Sequence, residues 1–119
     1  MSKEFKAGKN ALTVYLRGEI DQYKANEMKQ KIDIEIEQST KKNLIIDLSE
    51  VDLMDSSGIG LIVGRYKLTL SLGGTTVICS AKKNIAKMIE LSGIEKVISY
   101  YKSADDAERA LSLRNWWKE

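Results

Sequence analysis

The sequence has 119 residues, with no proline, no histidine and one cysteine; 43% are hydrophobic and 30% charged, for a formal net charge of +2. That length and balance suit one folded domain, residues 1–119, and exclude a disordered chain. Without histidine there is no Ser-His-Asp triad, Cys-His pair or histidine-bearing zinc site, and a single cysteine makes neither an internal disulfide nor a cysteine cluster.

A reducing, cytoplasmic setting is the expectation. No block of five like charges occurs, so there is no cationic stripe for direct nucleic-acid binding. No uncharged stretch, residues 56–64 included, reaches the ~20 apolar residues of a membrane span. In chain order, a short strand around Glu4 to Ala7 pairs through a turn at Gly8-Lys9-Asn10 with a strand over residues 11–17. There Leu12, Val14 and Leu16 alternate with Thr13, Tyr15 and Arg17, the period of a half-buried strand. Gly18 ends it, and Asp21 is placed to cap a helix reaching Gln38. Its buried stripe is Ala25, Met28, Ile32 and Ile36, spaced by three or four. Residues 44–48 (LIIDL) read as a central strand buried on both faces, and Ser49 to Asp55 as a loop.

A second helix is predicted from Ser56 to Leu72, stopped by Gly73-Gly74. Thr75 to Cys79 is strand-like. Ser80 caps a third helix with Ile85, Met88 and Ile89 inward and Gly93 at its end. Val97 to Tyr100 is a short strand. Ser103 with Asp105 and Asp106 starts a last helix that turns Ala107, Ala110 and Leu111 inward, and residues 112–119, which end Trp116-Trp117-Lys118-Glu119, form a C-terminal helical extension. The alternation predicts an α/β fold: a four- to five-stranded, mostly parallel sheet packed with about four helices.

The information lies in Ser49-Glu50-Val51-Asp52-Leu53-Met54-Asp55-Ser56-Ser57-Gly58-Ile59-Gly60. Unpaired N–H groups at a helix start, with the helix dipole, tolerate negative charge, so a phosphate on Ser56 or Ser57 would not break the fold. From residue types alone, Asp55, Ser56 and Ser57 also read simply as caps. Catalysis fits poorly. Neither serine has a Ser-x-x-Lys partner, Gly58, Gly60 and Gly64 miss the dinucleotide spacing, and Gly64 is followed by Arg65-Tyr66 rather than a Walker lysine. Asp52 and Asp55 form an acid pair of the kind usually solvated, so neither metal nor cofactor is expected. On a helical wheel Ile59, Ile62, Val63, Tyr66 and Leu70 form the core face. Leu61, Leu68 and Leu72 lie nearly opposite, with Gly58, Gly64 and Arg65 near them, a second stripe that suits either a neighbouring helix or a partner. Three glycines in one helix cost about 1 kcal/mol each relative to alanine, which favours close approach by something.

Met54-Asp55-Ser56-Ser57-Gly58-Ile59-Gly60, followed by Leu61-Ile62-Val63-Gly64-Arg65-Tyr66-Lys67, resembles the signature of bacterial anti-sigma factor antagonists of the STAS domain family. Gly18-Glu19-Ile20-Asp21 is similar to that family's Gly-Glu-(Leu/Ile)-Asp turn, and Leu91-Ser92-Gly93-Ile94 to the turn closing its third helix. Within the family the sequence looks like the sporulation branch, which antagonises the anti-sigma-F factor. The resemblance implies a single STAS domain and a partner switch that regulates transcription, not an enzyme. The unphosphorylated protein would bind an anti-sigma factor that is also a serine kinase of the GHKL type, releasing the sigma factor. Phosphorylation of Ser56 would abolish binding, and a PP2C-type phosphatase would restore it. Asp21, Asp55, Ser57, Gly58, Gly60, Leu61, Gly64, Arg65 and Leu68 are the implied contact residues. A monomer is expected, because the switch needs a free face. A constitutive STAS adaptor in a transporter or signalling scaffold is the rival that Ser56 and the Gly-Arg-Tyr-Lys run disfavour. Arg114-Asn115-Trp116-Trp117 matches no family feature.

Overall fold

Residues 4–114 are described by a computed structural model. The elements are β1 (Phe5–Ala7), β2 (Leu12–Ile20), α1 (Gln22–Gln38), β3 (Leu44–Met54), α2 (Ser56–Ser71), β4 (Thr76–Cys79), α3 (Lys83–Ser92), β5 (Tyr100–Tyr101) and α4 (Ala104–Arg114). The sheet runs β1-β2-β3-β4-β5. β1 is antiparallel to β2, and the other pairs are parallel. Each crossover therefore joins neighbouring strands in one direction, and a common hand puts all their helices on one face. The packing agrees: residues of α1, α2 and α3 share one cluster with Val14, Leu44, Ile46 and Ile78. α4 covers the opposite face, where Ala107 and Leu111 meet Ala11, Ile45, Val77 and Cys79.

Strand β3 is buried from Leu44 to Leu48, between β2 and β4. It does not stop there. The expected loop over Ser49–Asp55 is strand as far as Met54, and β2 continues past Gly18 to meet it, pairing Arg17 with Glu50, Gly18 with Val51, Glu19 with Leu53 and Ile20 with Met54. Two register shifts interrupt this pairing. Gly18, at φ +74°, supplies a backbone turn that side-chain-bearing residues resist. β4 pairs with β3 no further than Asp47–Cys79, so the ends of β2 and β3 project as a two-stranded ribbon beyond the rest of the sheet.

The α1 stripe of Ala25, Met28, Ile32 and Ile36 is buried as expected. Four other expectations are corrected. Ser80 does not cap α3: it sits at φ +66°, its N–H donates to Tyr101 O, and the helix starts after Lys82 with no side-chain cap. The strand expected over Val97–Tyr100 is a 3-10 turn, Ile94–Lys96, and then β5; Ile98 is the buried anchor and Val97 is 63% exposed. Ser103 does cap α4, accepting from Asp106 N–H at 3.1 Å, and Ala107 and Leu111 point inward, whereas Met88 and Ala110 are only half-buried. Residues 112–114 continue α4; Trp116 and Trp117 lie outside the described residues. The α2 wheel is rotated: Leu61, Ile62, Arg65 and Thr69 are buried, and Leu70 is 48% exposed. The cause is that α2 packs against the sheet and against α1 together, so it has two inward sides. Leu68 and Leu72 are half-buried against the main core.

Candidate functional site

The projecting ribbon delivers two helix starts to one rim. Asp21, just after β2, caps α1, its Oδ1 accepting from Lys24 N–H at 2.9 Å. Asp55, just after β3, caps α2, its Oδ1 accepting from Ser57 N–H at 2.8 Å. The Asp55 N–H donates to Ile20 O at 3.3 Å, tying the two turns together. Both aspartates are exposed. Each cap contributes about 1 kcal/mol by satisfying a first-turn donor.

Ser56 is the first residue of α2 and is exposed, and among the described residues its hydroxyl has no hydrogen-bond partner. Ser57 is half-buried beside it. Gly58 is buried, and a Cβ there would collide with the Met54 side chain, so this glycine lets the helix start close to the strand that precedes it. Asp52 pairs with Lys82 Nζ at 2.5 Å, and its carbonyl accepts from Asn84 Nδ2 at 2.9 Å. The start of α3 thus joins the same rim. The exposed Lys82–Asp52 pair adds little stability.

Between α1 and α2 lies an open groove of about 290 Å³, whose lining includes Gln22, Asn26 and Lys29 from α1 and Gly60, Gly64 and Arg65 from α2. Arg65 is 6% exposed. Its Nε stands 2.8 Å from Asp33 Oδ1, yet the two are out of hydrogen-bond alignment, so the contact is one of charge. Burial lowers the Arg65 pKa, and the Asp33 carboxylate opposes that shift. Removing Asp33 would leave the Arg65 charge unpaired; a fully buried pair loses about 3–5 kcal/mol in this way, and the 29% exposure of the Asp33 side chain lowers that cost.

Of the residues expected at a contact surface, Asp21, Asp55 and Gly60 are exposed, Ser57 and Gly64 half-buried, and all lie on the rim or groove. Leu61 and Arg65 are largely buried, at 5% and 6% exposure, although both border the groove. Leu68 lies further along α2, half-buried against the core. Sequence reasoning missed Gln22, Asn26 and Lys29. Their signal was present, since with Asp33 they recur at spacings of four, three and four, one face of α1 beside its buried stripe. It also missed Lys82 and Asn84, which reach the rim only through the tertiary fold.

Asp52 is engaged by Lys82 and Asp55 by a backbone N–H, and no group of three potential ligands occurs among the described residues. The lone thiol, Cys79, is buried and pushed up to about 12 by that burial, which leaves it without thiolate character at neutral pH. No described helix is long and apolar enough to cross a membrane.

Comparison with known proteins gives this arrangement a context. The STAS domain family matches residues 2–107. The chain is 29% identical to an anti-sigma F factor antagonist of Paenibacillus polymyxa, over 92% of this chain and 94% of that one. It is 30% identical to an anti-sigma-B factor antagonist of Bacillus subtilis, over 80% and 85% respectively. Its fold is similar to that of the Bacillus anti-sigma factor antagonist SpoIIAA. The unphosphorylated form superposes with a TM-score of 0.76 at 22% identity, covering 91% of this chain and 95% of that one. The phosphorylated form gives 0.67 at 22%, covering 89% and 96%. These relatives are named for opposing another protein, not for a reaction. The chain belongs to the STAS domain family.

Proposed function

We infer that the protein is an anti-sigma factor antagonist whose binding is switched by phosphorylation of Ser56. Unphosphorylated, it binds an anti-sigma factor that is also a GHKL-type serine kinase and frees the sigma factor, so that transcription, in the sporulation programme, proceeds. Phosphorylated, it lets go, and a PP2C-type phosphatase resets it. It acts in the cytoplasm as a monomer.

The observation that carries this reading is the position of Ser56: an exposed, unbonded hydroxyl on the first residue of α2, next to the capping Asp55, whose turn is tied by the Asp55 N–H to Ile20 O bond to the turn that holds Asp21. A phosphate adds about −1.5 to −2 charges at pH 7. The start of α2 offsets only ~0.3–1 kcal/mol of the resulting repulsion. Both neighbouring carboxylates are already committed to backbone N–H groups, so the added charge alters the local field and bulk of the rim while leaving the caps in place. A docked partner is displaced without a change of fold. The names of the relatives and the existence of a phosphorylated SpoIIAA support the reading.

The test is to incubate the protein with its cognate anti-sigma kinase and ATP and map the modified residue by mass spectrometry. Ser56 is expected. Ser56→Ala should bind the kinase and resist modification, whereas Ser56→Asp should bind at least tenfold more weakly. Phosphate on another residue, or equal binding by the two variants, overturns the assignment.

A further inference from the structure

On the α4 face of the sheet, away from the Ser56 rim, a cavity of about 520 Å³ opens between α4 and the β1–β2 hairpin. That is the size of a small-molecule site, roughly 300–1,000 Å³. Thr13 and Tyr15 of β2 line it. Two polar groups there are left unsatisfied by the fold. Thr13 is only 4% exposed, and its hydroxyl makes no hydrogen bond among the described residues. Glu108 accepts from the Asn10 N–H at 3.0 Å through Oε1, but its Oε2 is enclosed without a hydrogen-bond partner. Buried polar groups without partners are costly, and more so when charged. The charges around the cavity are sorted by wall. Asp105 and Glu108, one turn apart, stand on α4; Lys6 stands on β1 and Lys9 on the hairpin turn. Lys6, Lys9 and Asp105 form no ion pair or side-chain hydrogen bond among the described residues. The remaining charge, Arg109, is held by Asp106. Asp105 is also close enough to Tyr15 to add to the rise in the phenol pKa, whose main cause is burial, with Asp47 and Cys79 contributing.

The sign pattern selects the occupant. A plain anion suits the lysine wall and is repelled by the acidic one, a plain cation meets the reverse, and an apolar ligand leaves Thr13 and Glu108 as they are. A molecule with one charge of each sign answers both walls. We propose that this cavity binds a small zwitterion, an amino acid or a short peptide, whose ammonium group meets Asp105 in the field of Glu108, whose carboxylate meets Lys6 and Lys9, and whose polar atoms complete the hydrogen bonding of Thr13. The site is separate from the rim and independent of the antagonist reading.

Two measurements test it. In the first, the full chain is titrated with the common amino acids in turn and with dialanine, and followed by NMR, with sodium chloride as a parallel arm. Saturable shifts are expected at the Thr13, Tyr15 and Asp105 amides with at least one of them. The tightest binder is then compared with its N-acetyl and methyl ester forms, which lack the ammonium and the carboxylate respectively, and each should bind at least tenfold more weakly. The free amino acids and dialanine separate the two sources of the zwitterion. No saturable shift beyond the chloride arm, or equal binding of either blocked form, overturns the proposal. In the second, Asp105→Asn, the double variant Lys6→Gln/Lys9→Gln, and Thr13→Val are compared with wild type for thermal unfolding and for binding of the same ligand. The first two should each weaken binding about tenfold. Thr13→Val should weaken it several-fold while leaving the unfolding midpoint no lower, because its hydroxyl has no partner to lose. Wild-type affinity in Asp105→Asn or in the double lysine variant overturns the proposal, and so does a midpoint that falls in Thr13→Val with binding unchanged.

Discussion

The two halves of strand β3 face opposite demands. From Leu44 to Leu48 the strand is enclosed between β2 and β4 and covered on both faces, and every residue is buried. From Ser49 to Met54 the same strand has lost β4, keeps only β2 beside it, and exposes four of six side chains. The first half holds the domain together. The second carries Asp55 and Ser56 out to a rim where another molecule can reach them. What distinguishes them is the length of β4, which pairs only as far as Asp47.

The widest separation between the halves should appear on truncating one side chain in each. Ile46→Ala, at a fully buried position, should cost about 3–4 kcal/mol in urea denaturation through lost burial and a residual cavity. The ribbon should feel its own backbone more than its side chains. Gly18→Ala places a Cβ where there is open space but φ is +74°, so it should cost about 1–2 kcal/mol. A cost below a few tenths would mean that the ribbon relaxes and is not a fixed continuation of the sheet.

The boundary between the halves is marked by Cys79, whose thiol lies 3.7 Å from Asp47 Oδ2. Its pKa is raised from 9.0 to about 12, chiefly by burial. The native state therefore holds its proton more tightly than the unfolded chain. This contribution is complete below pH 9 and is lost as pH rises from there towards 12. The slope approaches about 1.4 kcal/mol per pH unit at most. Denaturation curves between pH 8 and 11 should show a shallower alkaline loss for Cys79→Ala than for wild type, and equal slopes would place the thiol in contact with water. The smallest effect is expected at Leu53→Ala, 56% exposed on the ribbon; it should change stability by less than about 0.5 kcal/mol. A loss comparable to that of Ile46→Ala would erase the distinction between the halves.

The enclosed half was legible because burial on both faces leaves a run of apolar residues, and Leu44–Leu48 is one. The ribbon was not, because its two register shifts break the alternation by which a strand is recognised, and its charged residues imitate a loop. Asp21 and Asp55 were legible because capping is local chemistry, settled within three residues. Ser80 has the same credentials, but its positive φ and the bond from its N–H to Tyr101 are imposed from across the sheet. Leu61 and its neighbour on the helical wheel, Arg65, were assigned to a contact surface because they lie opposite the expected core face, and an arginine is rarely buried unless paired. Its partner, Asp33, sits on another helix, and only the packing of α1 on α2 brings them together. The polar face of α1 had the right spacing, but nothing in the sequence says which polar face borders a groove.

The strand order β1-β2-β3-β4-β5 follows the order of synthesis. A chain emerging from the ribosome can therefore add each strand to an edge that already exists, without inserting it between two earlier ones. Asp21, Asp55, Ser56 and the α1–α2 groove all precede Leu72. The rim can assemble while α4, which closes the opposite face, is still unmade, so recognition chemistry is laid down early and the cover over Ile45, Val77 and Cys79 comes last.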